Sequence, residues 1–164
     1  LPFYSSTLTE NYSNSVGLWF KNFEFNASFY YLFREIGYSF RGYNEIAIIG
    51  KITPIITILF LIIITFFRKN KTEIQLITAM LFGLCFYYFT ATTIHPWYLA
   101  TPLILSIFTK YKFPLVWSFV IILSYQAYSN NPWSENLIFV AIEYSILFSF
   151  LIYELRRKNI NQII

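Results

Sequence analysis

From Ile46 onward the chain is built of long apolar stretches parted by short polar breaks. Ile46 to Phe67 reads as a helix about 33 Å long at ~1.5 Å per residue, enough to cross the hydrocarbon of a bilayer. Lys51 and Pro54 fall near its start, where a lysine can snorkel to the headgroups. A second span is predicted from Ile74 to Thr92, a short one from Tyr98 to Phe108, a fourth from Pro114 to Tyr128 and a last from Leu137 to Tyr153. The middle stretches hold roughly 11 to 15 apolar residues against the ~20 of a straight crossing. We therefore expect His95-Pro96-Trp97, between the second and third spans, to be recessed below the membrane surface.

Residues 1–45 differ. Thr7 to Ser15 is polar and reads as turn, whereas Val16 to Phe40 is dense in aromatics. As one helix, the latter places Glu24, Ala27, Ser28, Tyr31 and Glu35 on a single stripe, with Phe and Leu over much of the rest. That pattern suits an amphipathic helix lying in the membrane interface, broken by Gly37, Gly42 and Asn44. The expected fold is all-α: a polytopic transmembrane bundle of about five spans over 46–164, preceded by an extracytoplasmic loop and interfacial helix over 1–45.

Composition agrees that the solvent is lipid. Of 164 residues 57% are hydrophobic and only 12% charged, more apolar surface than one core of this size could hide. The net charge of +4 does not point to nucleic acid, because the cations sit in short runs beside apolar segments. Arg68, Lys69 and Lys71, then Lys110 and Lys112, then Arg156, Arg157 and Lys158 all fall on one side of a five-span topology, which should be cytoplasmic. His95 and the turn from Ser129 to Glu135 fall on the other. Residues 1–45 are then outside, so an upstream membrane segment is expected. The start at Leu1 has no signal-peptide pattern and the chain contains no aspartate, which suggests the C-terminal piece of something larger. The lone Cys85 excludes an internal disulfide and reads as lipid- or bundle-facing filler.

Few residues offer chemistry. His95, the only histidine, can donate to a phosphate oxygen or exchange a proton near neutral pH. Pro96 stops the second span, and Trp97 and Tyr98 match an aromatic belt; anchoring of the helix end is the competing reading. No second histidine and no Cys or Asp partner is present, which speaks against zinc. Arg34, Arg41 and Lys51 lie on the side where cations are not favoured, as a site for a lipid phosphate or pyrophosphate would require. Pairing with Glu35 and Glu45 is the competing reading there. Glu143 lies inside the last span, either as a functional carboxyl or, as preferred here, protonated and bonded to a neighbouring helix. Asn11-Tyr12-Ser13 and Asn26-Ala27-Ser28 match the N-glycosylation pattern at chance level. No Gly-rich phosphate loop or nucleophile elbow occurs, so a donor substrate must come from the membrane. Nothing specifies a cofactor.

Four segments carry a resemblance. Phe23-Glu24-Phe25-Asn26-Ala27-Ser28-Phe29-Tyr30-Tyr31, His95-Pro96-Trp97-Tyr98-Leu99, Asn131-Pro132-Trp133-Ser134-Glu135-Asn136 and Glu143-Tyr144 resemble the C-terminal half of bacterial polyprenol-phosphate-mannose-dependent mannosyltransferases of the GT-C class. The resemblance implies a multi-span protein of the bacterial inner membrane. Such a protein moves mannose or a related hexose, with inversion, from a polyprenyl-phosphate donor to an extracytoplasmic glycan, lipid or protein acceptor. It also implies a catalytic acid in an early extracytoplasmic loop, expected upstream of Leu1, so the chain alone should be inactive. On this basis His95, Arg41 and Lys51 are the expected contacts of the donor phosphate, and Glu24, Asn26, Arg34, Trp97 and Tyr98 the expected substrate contacts. The partners are then the lipid-linked donor, the acceptor and membrane lipids, with no nucleic acid. A transporter or lipid flippase, with Glu143 and Lys51 on its path, is the alternative; the inverted repeat it would commonly show is not found. A purely structural subunit would need neither His95 nor the misplaced arginines.

Overall fold

The computed structural model describes residues 5–160. Leu1–Tyr4, read above as lacking a signal-peptide pattern, and the side chain of Lys158 in the last basic cluster lie outside the described residues.

Among the described residues the chain is helical, with one isolated bridge in place of any sheet. Helix α1 runs Ser6–Asn22, α2 Phe29–Arg41, α3 Ile46–Phe66, α4 Glu73–Thr90, α5 Ala100–Ile107, α6 Phe113–Val120 and α7 Leu137–Ile160. Tight 3₁₀ turns lead into α5 over Pro96–Leu99 and extend α6 over Ile121–Ser129.

Two expectations for the first 45 residues fail. Thr7 to Ser15 is not a turn but the body of α1: the Ser5 hydroxyl accepts from the Leu8 N–H at 3.0 Å and starts the helix. The single helix expected over 16–40 is two, parted at residues 23–28. There Asn26 takes a positive φ of 48° and the Phe25 backbone pairs elsewhere, so the helical ladder cannot pass. Gly42, at φ 76°, closes α2 by donating its N–H to the Tyr38 carbonyl.

The remaining helices stack in chain order. Thr72 and Gln75 form a capping box that starts α4. Helix α4 returns antiparallel along α3: the Thr57 and Thr90 hydroxyls meet at 3.1 Å, Phe60 stacks on Phe86 with ring centroids 4.0 Å apart, and a Cβ on Gly83 would meet Leu61 at 2.8 Å. Helix α6 packs against α7, where the Glu154 carboxylate accepts from the backbone N–H groups of Lys112 and Phe113 at 2.8–3.0 Å and satisfies the start of α6. The core between α4, α6 and α7 is aromatic, with Trp117, Phe89, Tyr144 and Leu147 buried and the Trp117 and Phe89 rings 5.0 Å apart. Cys85 is buried in the bundle.

Three helices are long and apolar enough to cross a membrane: Ile46–Phe66, Glu73–Thr90 and Leu137–Arg157. In the first, only 17% of the most apolar window is buried inside the molecule, so most of its Ile, Leu and Phe face outward. An apolar helix exposed on so many sides belongs in lipid, and the chain has the character of a membrane protein. The stretches Pro96–Ile107 and Phe113–Ser129 are apolar but shorter. The five expected spans thus appear as three of full length and two short helical segments.

Candidate functional site

The break between α1 and α2 exists because its backbone is used in the loop after α4. The Phe25 N–H donates to the Thr92 carbonyl at 3.0 Å, the Ile94 N–H donates to the Phe25 carbonyl at 2.8 Å, and the Thr93 hydroxyl donates to the Phe23 carbonyl. This short parallel bridge carries Phe25 to His95. The Phe25 ring lies 4.9 Å from the imidazole and Trp97 lies 4.3 Å away at 7°, so His95 is held between two rings, with the Tyr98 edge at 5.5 Å. His95 is only 6% exposed and burial pushes its pKa below the usual value, which favours the neutral imidazole at pH 7. Trp97 is 58% exposed and presents the open end of the stack.

One residue further, Asn26 is fully buried and joins three elements. Its N–H donates to Glu135 at 2.7 Å, its side-chain amide donates to Glu143 at 3.1 Å, and its carbonyl accepts from the Tyr144 hydroxyl at 2.7 Å. The Trp117 indole N–H donates to the same Glu143 oxygen at 3.0 Å. Asn26 Oδ1 and Glu143 Oε2 are buried acceptors with no hydrogen-bond partner among the described residues. Glu135 also accepts from the Tyr31 hydroxyl. Burial raises the Glu135 carboxyl above its usual pKa, and the two hydrogen bonds only partly oppose it. Burial likewise raises Tyr31, reinforced by the adjacent Glu135.

Toward the surface the network ends in an ionic cluster. Arg34 pairs with Glu24 at 2.9 Å and with Glu35 at 3.1 Å, and its guanidinium lies 4.5 Å from the centre of the Tyr31 ring. Burial works against the Arg34 charge, but Glu24 and Glu35 more than offset it and raise its pKa. Asn44 donates to Glu24 at 3.1 Å and accepts from the Tyr30 hydroxyl and the Ile46 N–H, tying the start of α3 to the cluster. Asn44 is thus a binding partner as well as the helix breaker it reads as in sequence.

Beside the cluster a groove of about 540 Å³ opens between α2 and α7. Tyr31 and Glu35 stand at its polar side, and Ala141, Ser145 and Phe148 form its wall on α7.

Of the residues singled out in sequence, Glu24 and Arg34 form one ion pair, Asn26 is the buried junction, and His95, Trp97 and Tyr98 form one aromatic group. The expected phosphate contacts have separate surroundings. Arg41 is 60% exposed in its side chain and pairs with Glu45 at 3.3 Å, and Lys51 is exposed on α3. Sequence reasoning did not assign roles to Glu135, Tyr31, Trp117 and Tyr144. The available signal was slight: a glutamate in a turn without basic neighbours, just before an apolar helix.

The four sequence segments therefore meet at one end of the bundle. That end is the opposite of the one holding Arg68, Lys112 and Arg156, since α4 runs away from Arg68 and α7 runs away from Glu135. No protein-family model, no curated protein and no solved structure matches the chain.

Proposed function

We propose that this chain is the membrane part of a hexosyltransferase that uses a polyprenyl-phosphate sugar, mannose or a related hexose, as donor and a glycan or lipid as acceptor. One observation carries the reading. The four segments that resemble stretches of such enzymes, separated by up to 118 residues in hydrogen-bonded pairs, converge on a single polar node at the end of the bundle away from the basic clusters.

The chemistry of the node favours a sugar. Glu24 and Glu35 offer carboxylate oxygens for hydroxyl groups, and the exposed Trp97 offers an apolar ring face for the C–H side of a pyranose. The neighbouring groove has the size of a small-molecule site, within the usual range of ~300–1,000 Å³, and an apolar wall suited to a lipid chain. In this reading the two short apolar segments complete five crossings, which puts every basic cluster on the cytoplasmic side of a bacterial inner membrane and the node on the extracytoplasmic side. His95 stays neutral and donates one hydrogen bond to the leaving lipid phosphate, with Arg41 and Lys51 as the cations nearest the interface. Binding and phosphate recognition are the roles assigned to these residues.

Because the catalytic acid is expected outside this chain, the test is transfer of labelled hexose from a polyprenyl-phosphate donor by membranes of cells expressing the whole proposed hexosyltransferase, this chain included. Trp97→Ala and Glu24→Gln should each lower transfer at least tenfold, equal to about 1.4 kcal/mol of transition-state stabilisation, while Glu10→Gln on exposed α1 should not. Wild-type activity of both site variants would sink the assignment. Donor uptake across the membrane without transfer would place the chain among transporters instead.

A further inference from the structure

The groove beside α2 does not end there. A second cavity of about 460 Å³ continues it along α7: Ser149 and Ile152 line both, and the second ends at Tyr153, Arg156 and Arg157. From Leu137 to Arg157 the trough follows α7 for about 30 Å at ~1.5 Å per residue, the thickness of the hydrocarbon layer. Small residues at every fourth position, Ala141, Ser145 and Ser149, give it depth, and Phe148 and Ile152 give it apolar flanks.

The two mouths differ in charge. At the α2 end stands Glu35, paired with Arg34. At the other end stand two guanidinium groups, and among the described residues neither pairs with a carboxylate. The nearest acid on the helix, Glu154, is buried on the α6 side with both oxygens bonded to backbone N–H groups. A membrane-depth apolar trough with a free cationic mouth is complementary to an amphiphile with a negatively charged head. The acidic side chain at the far mouth sets the orientation.

We propose that the α7 trough is a binding site for an anionic phospholipid of the leaflet on the basic side. Its phosphate sits at Arg156 and Arg157, and one acyl chain lies over Ile152 and Ser149 toward Ala141. Arginine suits the head because its planar fork can meet two phosphate oxygens at once. The headgroup site lies at the opposite end of the bundle from the node proposed to bind sugar; only the acyl chain enters the groove shared with the donor's lipid, and its retention is measured without donor.

Native mass spectrometry of the detergent-solubilised protein tests it, with phosphatidylglycerol and phosphatidylcholine of identical chains as probes. The wild type should retain phosphatidylglycerol at least tenfold better. Arg156→Gln with Arg157→Gln should abolish that preference, and so should Ser149→Phe, which leaves the charges but fills the trough. Arg68→Gln with Lys69→Gln removes the same charge from the same membrane side and should leave the preference intact. Equal retention of the two lipids by the wild type would overturn the proposal. So would an equal loss in the Arg68/Lys69 variant, or unchanged retention by Ser149→Phe, since either means diffuse attraction and no built site. Displacement of the lipid by inorganic phosphate alone would also overturn it.

Discussion

Asn26 illustrates how one residue can hold a site together. Its left-handed φ ends one helix before the next begins, and its three polar groups bind Glu135, Glu143 and Tyr144. Asparagine tolerates that φ better than most residues, and no other tolerant residue supplies an amide donor of the same reach. The buried acceptors Asn26 Oδ1 and Glu143 Oε2 make a specific prediction. Glu143→Gln keeps an oxygen for Trp117 and Asn26 and removes an ionisable group from a fully buried position, so stability should fall far less than with alanine. Glu143→Ala orphans two buried donors and should cost about 1–3 kcal/mol for each. Chemical denaturation in detergent micelles, comparing the two variants, checks that order. The sequence already marked Glu143 as an unusual carboxyl inside an apolar helix. Its partners were not legible, because hydrogen bonds between residues 117 apart leave no trace in local periodicity.

At the level of elements, hydropathy located α3 and α4 to within two residues and the start of α7, because a helix facing lipid shows its surface as an apolar run; α7 continues past the expected end at Tyr153 into the charged residues up to Ile160. The N-terminal region was harder. The start of α1 depends on one serine cap in a polar stretch, and the break before α2 depends on backbone pairing with Thr92 and Ile94. Helical periodicity across Val16 to Phe40 could not reveal a tertiary partner that claims the backbone in the middle. Glu154 has the same character: it sits near the end of an apolar helix just before the basic run at Arg156 and Arg157, yet its carboxylate caps another helix. Glu154→Ala should leave the Lys112 and Phe113 N–H groups unpaired and cost about 1–3 kcal/mol for each, whereas Glu154→Gln retains one acceptor oxygen and should lose less. Thermal midpoints of the two purified variants order them.

The whole molecule is organised by its two ends. Apolar helices with little internal burial join a polar, aromatic-lined node built from residues 23–35, 92–98, 135 and 143–144 to a basic end built from the clusters at 68–71, 110–112 and 156–157. The positive-inside rule makes this polarity a statement about orientation, and both proposed sites depend on it. Cys85 is the only cysteine and is buried, so Cys85→Ala gives a silent background for single labels. The most direct test places one cysteine at the exposed Ser134, beside Glu135 of the node, and another at Lys71, then treats intact cells with a membrane-impermeant maleimide. Ser134→Cys should be labelled from outside, and Lys71→Cys only after the membrane is opened. Labelling of both residues in intact cells, or of Lys71→Cys alone, would contradict a membrane bundle that carries its polar node on the outer face.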